Sequence, residues 1–123
     1  MIQLSKRIVF TSKAPKPVGS YSQAVICDDL IFISGQIPIN PQTQKIIQGG
    51  IETQTVQVLE NLKNILESIN LTLDNVVKTT VLLTDLDDFK LFNQVYSKYF
   101  LKNPQLSSSS PPNNRNCRGE GTP

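Results

Sequence analysis

The sequence predicts an α+β domain, a mixed and mainly antiparallel sheet with two helices packed on one face. Three observations predict it. Short, apolar, β-branched runs come first in the chain, separated by turn-forming residues. Two stretches with apolar residues at helical spacing follow. A chain of 123 residues with 38% hydrophobic composition is also long enough to bury one core without a metal or disulfide staple. Strands gathered ahead of the helices, instead of alternating with them, favour helices laid on an antiparallel sheet.

The elements follow in order. Arg7-Ile-Val-Phe10 reads as a first strand, and Pro15 to Gly19 punctuates a loop. Ser22–Ile26 and Leu30–Ile37 are apolar runs joined by Asp28-Asp29, the pattern of a hairpin. Asn40-Pro-Gln-Thr-Gln44 is turn chemistry, and Ile46-Ile47 can form a short strand before Gly49-Gly50. Leu59, Leu62, Leu66 and Ile69, with Val58 and Ile65 beside them, predict a helix from about Glu52 to Asn70, where Asn70 can adopt the left-handed stop. Val76–Leu83 reads as a strand with the polar centre Lys78-Thr79-Thr80. Thr84 or Asp85 can cap a second helix, whose face carries Phe89, Phe92, Val95, Tyr96 and Tyr99. The predicted order is β-β-β-(β)-α-β-α, without internal repeats.

From Asn103 the character changes. Ser107 to Ser110 is a run of four serines, Pro111-Pro112-Asn113-Asn114 follows, and Leu106 and Cys117 are the strongly apolar residues left. Ordering such a segment costs about 1 to 2 kcal/mol per residue in backbone entropy alone, which so little apolar surface cannot offset. The expected organisation is one domain over 1–102 and a disordered tail over 103–123.

Composition excludes several functions. Twelve basic and ten acidic residues leave a net charge of +2, too weak to argue for nucleic acid or an anionic membrane. No apolar run approaches the roughly 18 to 20 residues that cross a bilayer. The absence of His removes the commonest general base and metal ligand, and with it a Ser-His-Asp triad. Cys27 and Cys117 lie 90 positions apart with no CxxC pair, so no metal site is expected and both thiols read as free. The expected compartment is the cytoplasm. The early excess of Lys6, Arg7, Lys13 and Lys16 over acids leaves a mitochondrial address as the alternative.

The remaining candidates are polar groups on an apolar background. Ser34-Gly35-Gln36 ends a strand, where Gly35 permits either a plain bend or a backbone amide turned toward a ligand. Tyr21 follows Gly19-Ser20 and is either a phenol in a cleft or a buried ring with a satisfied hydroxyl. Asn93 interrupts the aromatic face of the second helix, as a site residue or a helix-to-loop clamp. Lys78 reads mainly as a snorkelling side chain, and Asp85, Asp87 and Asp88 as helix caps.

Several segments together are more specific. Pro17-Val-Gly-Ser-Tyr-Ser-Gln-Ala24, Ile33-Ser-Gly-Gln-Ile-Pro-Ile-Asn-Pro41, Val77-Lys-Thr-Thr-Val81, Leu86-Asp-Asp-Phe89 and Phe92-Asn-Gln-Val-Tyr96 occur in order. They resemble the RidA family, also called YjgF or the L-PSP endoribonuclease family, from about Ser12 to Phe100. The resemblance implies a chorismate-mutase-like fold, a homotrimer with clefts at subunit interfaces, and no cofactor. It implies hydrolysis of small-molecule enamines and imines such as 2-aminoacrylate to 2-oxo acids and ammonia. By position, Tyr21, Ser34, Gly35 and Asn93 match substrate-facing residues. The family's carboxylate-gripping Arg and water-positioning Glu belong to C-terminal strands that the tail here replaces; Arg115 and Glu120 do not match them, and the catalytic residues are left unassigned. The alternatives are a non-catalytic binding or chaperone-like trimer and, with little support from the charge, an endoribonuclease or translation inhibitor.

The genetic code offers an origin for the tail. Asn113 to Gly121 can be encoded so that reading one base later gives Ile-Ile-Glu-Ile-Ala-Val-Val-Lys, an apolar strand with one carboxylate. On that reading the tail is an out-of-frame or mis-spliced translation.

Overall fold

A computed structural model describes residues 5–100 and the backbone of residues 106–107. β1 (Lys6–Val9), β2 (Ala24–Cys27) and β3 (Leu30–Ile33) form an antiparallel sheet in that order. The β2–β3 hairpin closes with Cys27 opposite Leu30, and Asp28 takes a left-handed φ of 53° in the tight turn. β4 (Ile39–Asn40) and β5 (Lys45–Ile46) pair around the predicted turn, which Asn40 Oδ1 organises by accepting from the amide of Gln42 at 2.7 Å.

α1 (Ile51–Glu67) begins after Gly49, whose φ of 131° a side chain would not tolerate and whose Cβ would come within 3.0 Å of Thr53. It ends where Asn70, at φ 63°, turns the chain so that the Leu71 amide donates to the Leu66 carbonyl at 2.9 Å. β6 (Lys78–Thr79) follows a 3₁₀ turn over Leu73–Asn75. A second such turn, Leu86–Asp88, is capped by Asp85 and leads into α2 (Phe89–Tyr99). β7 (Leu106–Ser107) runs parallel to β6.

α1 lies at the centre. One side carries Ile65 into a core with Val9, Ala14 and Ala24, with Ile26, Ile31, Ile33 and Ile69 around it. The other packs Leu59 against Val95 and Phe100 of the α2 region, beside Leu62, Tyr96 and Tyr99. Along α2, Phe92, Tyr96 and Phe100 form an aromatic stack with centroids 5.1 and 4.7 Å apart. Tyr99 donates its hydroxyl to Glu60 at 2.7 Å across the helix pair. Burial, followed by that carboxylate, raises its pKa from 10.0 to about 12.

The predicted α+β class holds; the order gains two short strands, β4 and β7, the strand expected over Leu30–Ile37 ends at Ile33, and three further points differ. The strands described fall into three small sheets instead of one. Val76–Leu83 is paired only at Lys78–Thr79, because a strand is defined by its hydrogen-bonded neighbour and only β7 adjoins it among the described residues. Leu106 and Ser107 pair with β6 although the composition from Asn103 predicts disorder; the rest of that prediction lies outside the described residues.

Candidate functional site

Two loops and the end of β3 surround a small pocket. The first loop is stiff because Pro15 and Pro17 fix their own φ, and each restricts the residue before it to extended backbone. Buried Gln23 holds this loop from beneath: its Nε2 donates to the carbonyls of Thr11 (3.0 Å), Pro15 (2.9 Å) and Ala14 (3.3 Å), while its Oε1 accepts from the Thr11 amide at 2.7 Å. Fully buried Asn61 of α1 holds the opposite wall, with Nδ2 donating to Ile39 O at 3.0 Å and Oδ1 accepting from Gln57 Nε2 at 2.9 Å. Each amide satisfies backbone groups that a loop cannot pair by itself, and leaving such groups buried and unpaired costs about 1–3 kcal/mol.

The cavity between these walls measures about 140 Å³ and is lined by Lys16, Val18, Tyr21, Gly35, Gln36 and Ile37, among others. Pockets that enclose drug-sized ligands measure about 300–1,000 Å³, so this space has room only for a smaller molecule. The Tyr21 ring is half exposed, and its hydroxyl oxygen accepts the Val18 amide at 3.2 Å. The phenolic proton is thus not used in that bond. A Cβ built on Gly35 would meet nothing within 4 Å, so the backbone there faces open space. No Asp or Glu lines the pocket among the described residues.

The structure brings together two of the four residues singled out in the sequence, Tyr21 and Gly35. Ser34 adjoins the pocket without lining it, and its hydroxyl donates to Ser22 O at 2.5 Å, a bond that ties the end of β3 to the start of β2. The reading of Asn93 as an amide on a buried face is corrected: Asn93 is exposed and outside this pocket. Phe92 and Val95 are the buried residues of α2, and Asn93, one residue and therefore about 100° on from Phe92, falls off that stripe. Lys78 is exposed, and Asp85 caps the following turn by accepting the Asp87 amide at 2.9 Å, as the cap reading requires. Sequence reasoning missed Gln23 and Asn61. Their signal was a polar amide set directly against an apolar strand and within the apolar stripe of α1.

The arrangement defines a class: a small α+β domain with a tyrosine and an open glycine backbone beside a metabolite-sized pocket. The family model described as Endoribonuclease L-PSP matches residues 11–114. A RutC family protein of Saccharolobus solfataricus is 50% identical over 99 residues, covering 80% of this chain and 79% of its own. The human 2-iminobutanoate/2-iminopropanoate deaminase is 44% identical over 103 residues, covering 84% and 75%. The crystal structure of yeast Mmf1 superposes with a TM-score of 0.83 at 40% identity, covering 88% and 86%. The chain belongs to the RidA family, also known as the L-PSP endoribonuclease family. No helix among the described residues is long and apolar enough to cross a membrane.

Proposed function

We propose that this protein hydrolyses small, carboxylate-bearing imines and enamines to 2-oxo acids and ammonia without a cofactor, acting as a homotrimer. One observation carries the reading: Tyr21 and the open Gly35 backbone face the same small pocket, in a chain 44% identical to a 2-iminobutanoate/2-iminopropanoate deaminase. The reaction adds water across the C=N bond, giving a carbinolamine that expels ammonia and leaves the carbonyl. Because the Tyr21 oxygen already accepts the Val18 amide, its proton is available to the imine nitrogen or to the departing ammonia. Amides beside Gly35 can stabilise the carbinolamine oxygen as its proton leaves and ammonia departs. The trimer reading is supported by the sheet, whose outer face exposes Ile8, Leu30 and Phe32.

The test couples the protein to a threonine-dehydratase reaction and times release of 2-oxobutanoate. Tyr21→Phe should slow release about 100-fold, the scale of a lost proton donor, with the melting temperature unchanged. An unchanged rate with a lowered melting temperature would show a structural ring instead. A second reading, a non-catalytic binding trimer, is favoured by one observation: no carboxylate lines the pocket among the described residues to position water. In that case the wild-type protein binds 2-oxobutanoate and leaves the release rate unaltered.

A further inference from the structure

Tyr21 and the Gly35 backbone reach the pocket from different parts of the chain, and Gln23 is bonded to both parts. Its side chain serves the Pro-rich loop. The two protons of Nε2 are shared among the carbonyls of Thr11, Ala14 and Pro15 at 3.0, 3.3 and 2.9 Å, and Oε1 accepts from the Thr11 amide at 2.7 Å. Its main chain serves the end of β3. The Gln23 carbonyl accepts from the Ser34 amide at 3.0 Å, and the Ser22 carbonyl accepts from the Ser34 hydroxyl at 2.5 Å.

Little chain separates these anchors from the groups that face the pocket. Tyr21 lies two residues before Gln23, and Gly35 follows Ser34 directly. Val18, whose amide donates to the Tyr21 hydroxyl oxygen, stands three residues after Pro15, with the fixed φ of Pro17 between them. The position of the loop at Pro15 therefore carries over to the phenol. Gln23 is 2% exposed, so water cannot take over these bonds when the amide is lost. A misplacement of about 1 Å in a reacting group costs on the order of 100-fold in rate.

We propose that Gln23 is a positioning residue for the hydrolysis: its amide sets the Pro-rich loop against the end of β3, and with it the separation of the Tyr21 hydroxyl from the amides beside Gly35. This inference rests on the deaminase reading and deepens it by naming what aligns the two groups. Gln23 acts through Tyr21 and Gly35 and transfers no proton.

The experiment compares Gln23→Met, which keeps the length of the side chain without its hydrogen bonds, with Val95→Ala, which loosens the helix pair away from the pocket. Each full chain is assayed for 2-oxobutanoate release, for affinity to 2-oxobutanoate and for thermal melting. Gln23→Met should slow release about 30-fold or more while affinity changes less than about threefold, and Val95→Ala should keep the wild-type rate although it melts earlier. Gln23→Glu, when ionised, has no proton for the three carbonyls, so its deficit relative to wild type should shrink as pH falls and the buried carboxyl is protonated. A Gln23→Met protein with the wild-type rate, or with a loss no larger than that of Val95→Ala, overturns the assignment and leaves the deaminase reading standing. A wild-type chain that does not speed release overturns both. Should neither Gln23 variant fold, amide exchange in the wild-type chain decides. The Thr11 amide should exchange roughly 100-fold more slowly than in a free peptide, and free exchange there overturns the assignment.

Discussion

The two faces of the β1–β2–β3 sheet are built from similar residues and meet different surroundings. Opposite partners in the register share a face, so Val9, Ala24 and Ile33 lie in one row and Ile8, Val25 and Phe32 in the next row on the other side. The first row packs on α1 around Ile65, and Val9 and Ala24 are 4% and 1% exposed. The second faces outward, with Ile8 67% and Phe32 60% exposed and Leu30 close by at 58%. A one-sided antiparallel sheet alternates apolar and polar residues; this one does not, and its outer face has the composition of a second core. Fully burying a side chain of this kind contributes about 1.5–3 kcal/mol, so an outer face this apolar gains from being covered. An apolar run by itself does not say whether its second face is covered by the same chain or by another copy.

The largest effect is expected on the inner side. Ile65→Ala removes a fully buried side chain from the centre of the inner core and should cost about 2–5 kcal/mol in chemical denaturation. Retention of wild-type stability would mean that the inner face is not the core.

Phe32→Asp should do the reverse. Monomer stability should change by no more than about 0.5 kcal/mol, because the ring is 60% exposed, while association measured by light scattering is lost. A mutant that assembles as the wild type does would remove the reason for treating the two faces as a pair.

The smallest effect tests the helix pair away from both faces. The pKa of Tyr99 is raised from 10.0 to about 12, so the folded state favours its protonated form. The stabilisation this provides is complete below pH 10 and is lost as pH rises through about 12. Tyr99→Phe should flatten the fall in stability across that window, read by melting at successive pH values. An identical slope in the mutant would show that burial and Glu60 do not hold Tyr99 protonated in the folded state.

Much of the fold was legible in the sequence because local rules govern it. The Asp28-Asp29 hairpin, the Asn40 turn, the stop at Asn70 and the Asp85 cap all depend on the conformational and hydrogen-bonding habits of one or two residues. Tyr21 and Gly35, which line one pocket, were singled out from short motifs that fix a loop and a strand end. For Asn93 only the buried face was misread, because its neighbours Phe89, Phe92 and Tyr96 suggest a continuous face while the buried stripe of α2 runs through Phe92 and Val95. Gln23 and Asn61 were missed because their partners, Thr11, Ala14 and Pro15 for one and Ile37 and Ile39 for the other, are set by how distant segments meet.

Local pattern was enough for the α+β class, the two helices and the turns between elements, since periodicity and turn chemistry act within a few residues. Only the tertiary structure decided which apolar face became the core, which amides hold the pocket walls, and that Tyr21 and Gly35 share a cavity. Those outcomes depend on contacts between residues far apart in the chain, and no local pattern encodes which buried polar group will meet which backbone carbonyl.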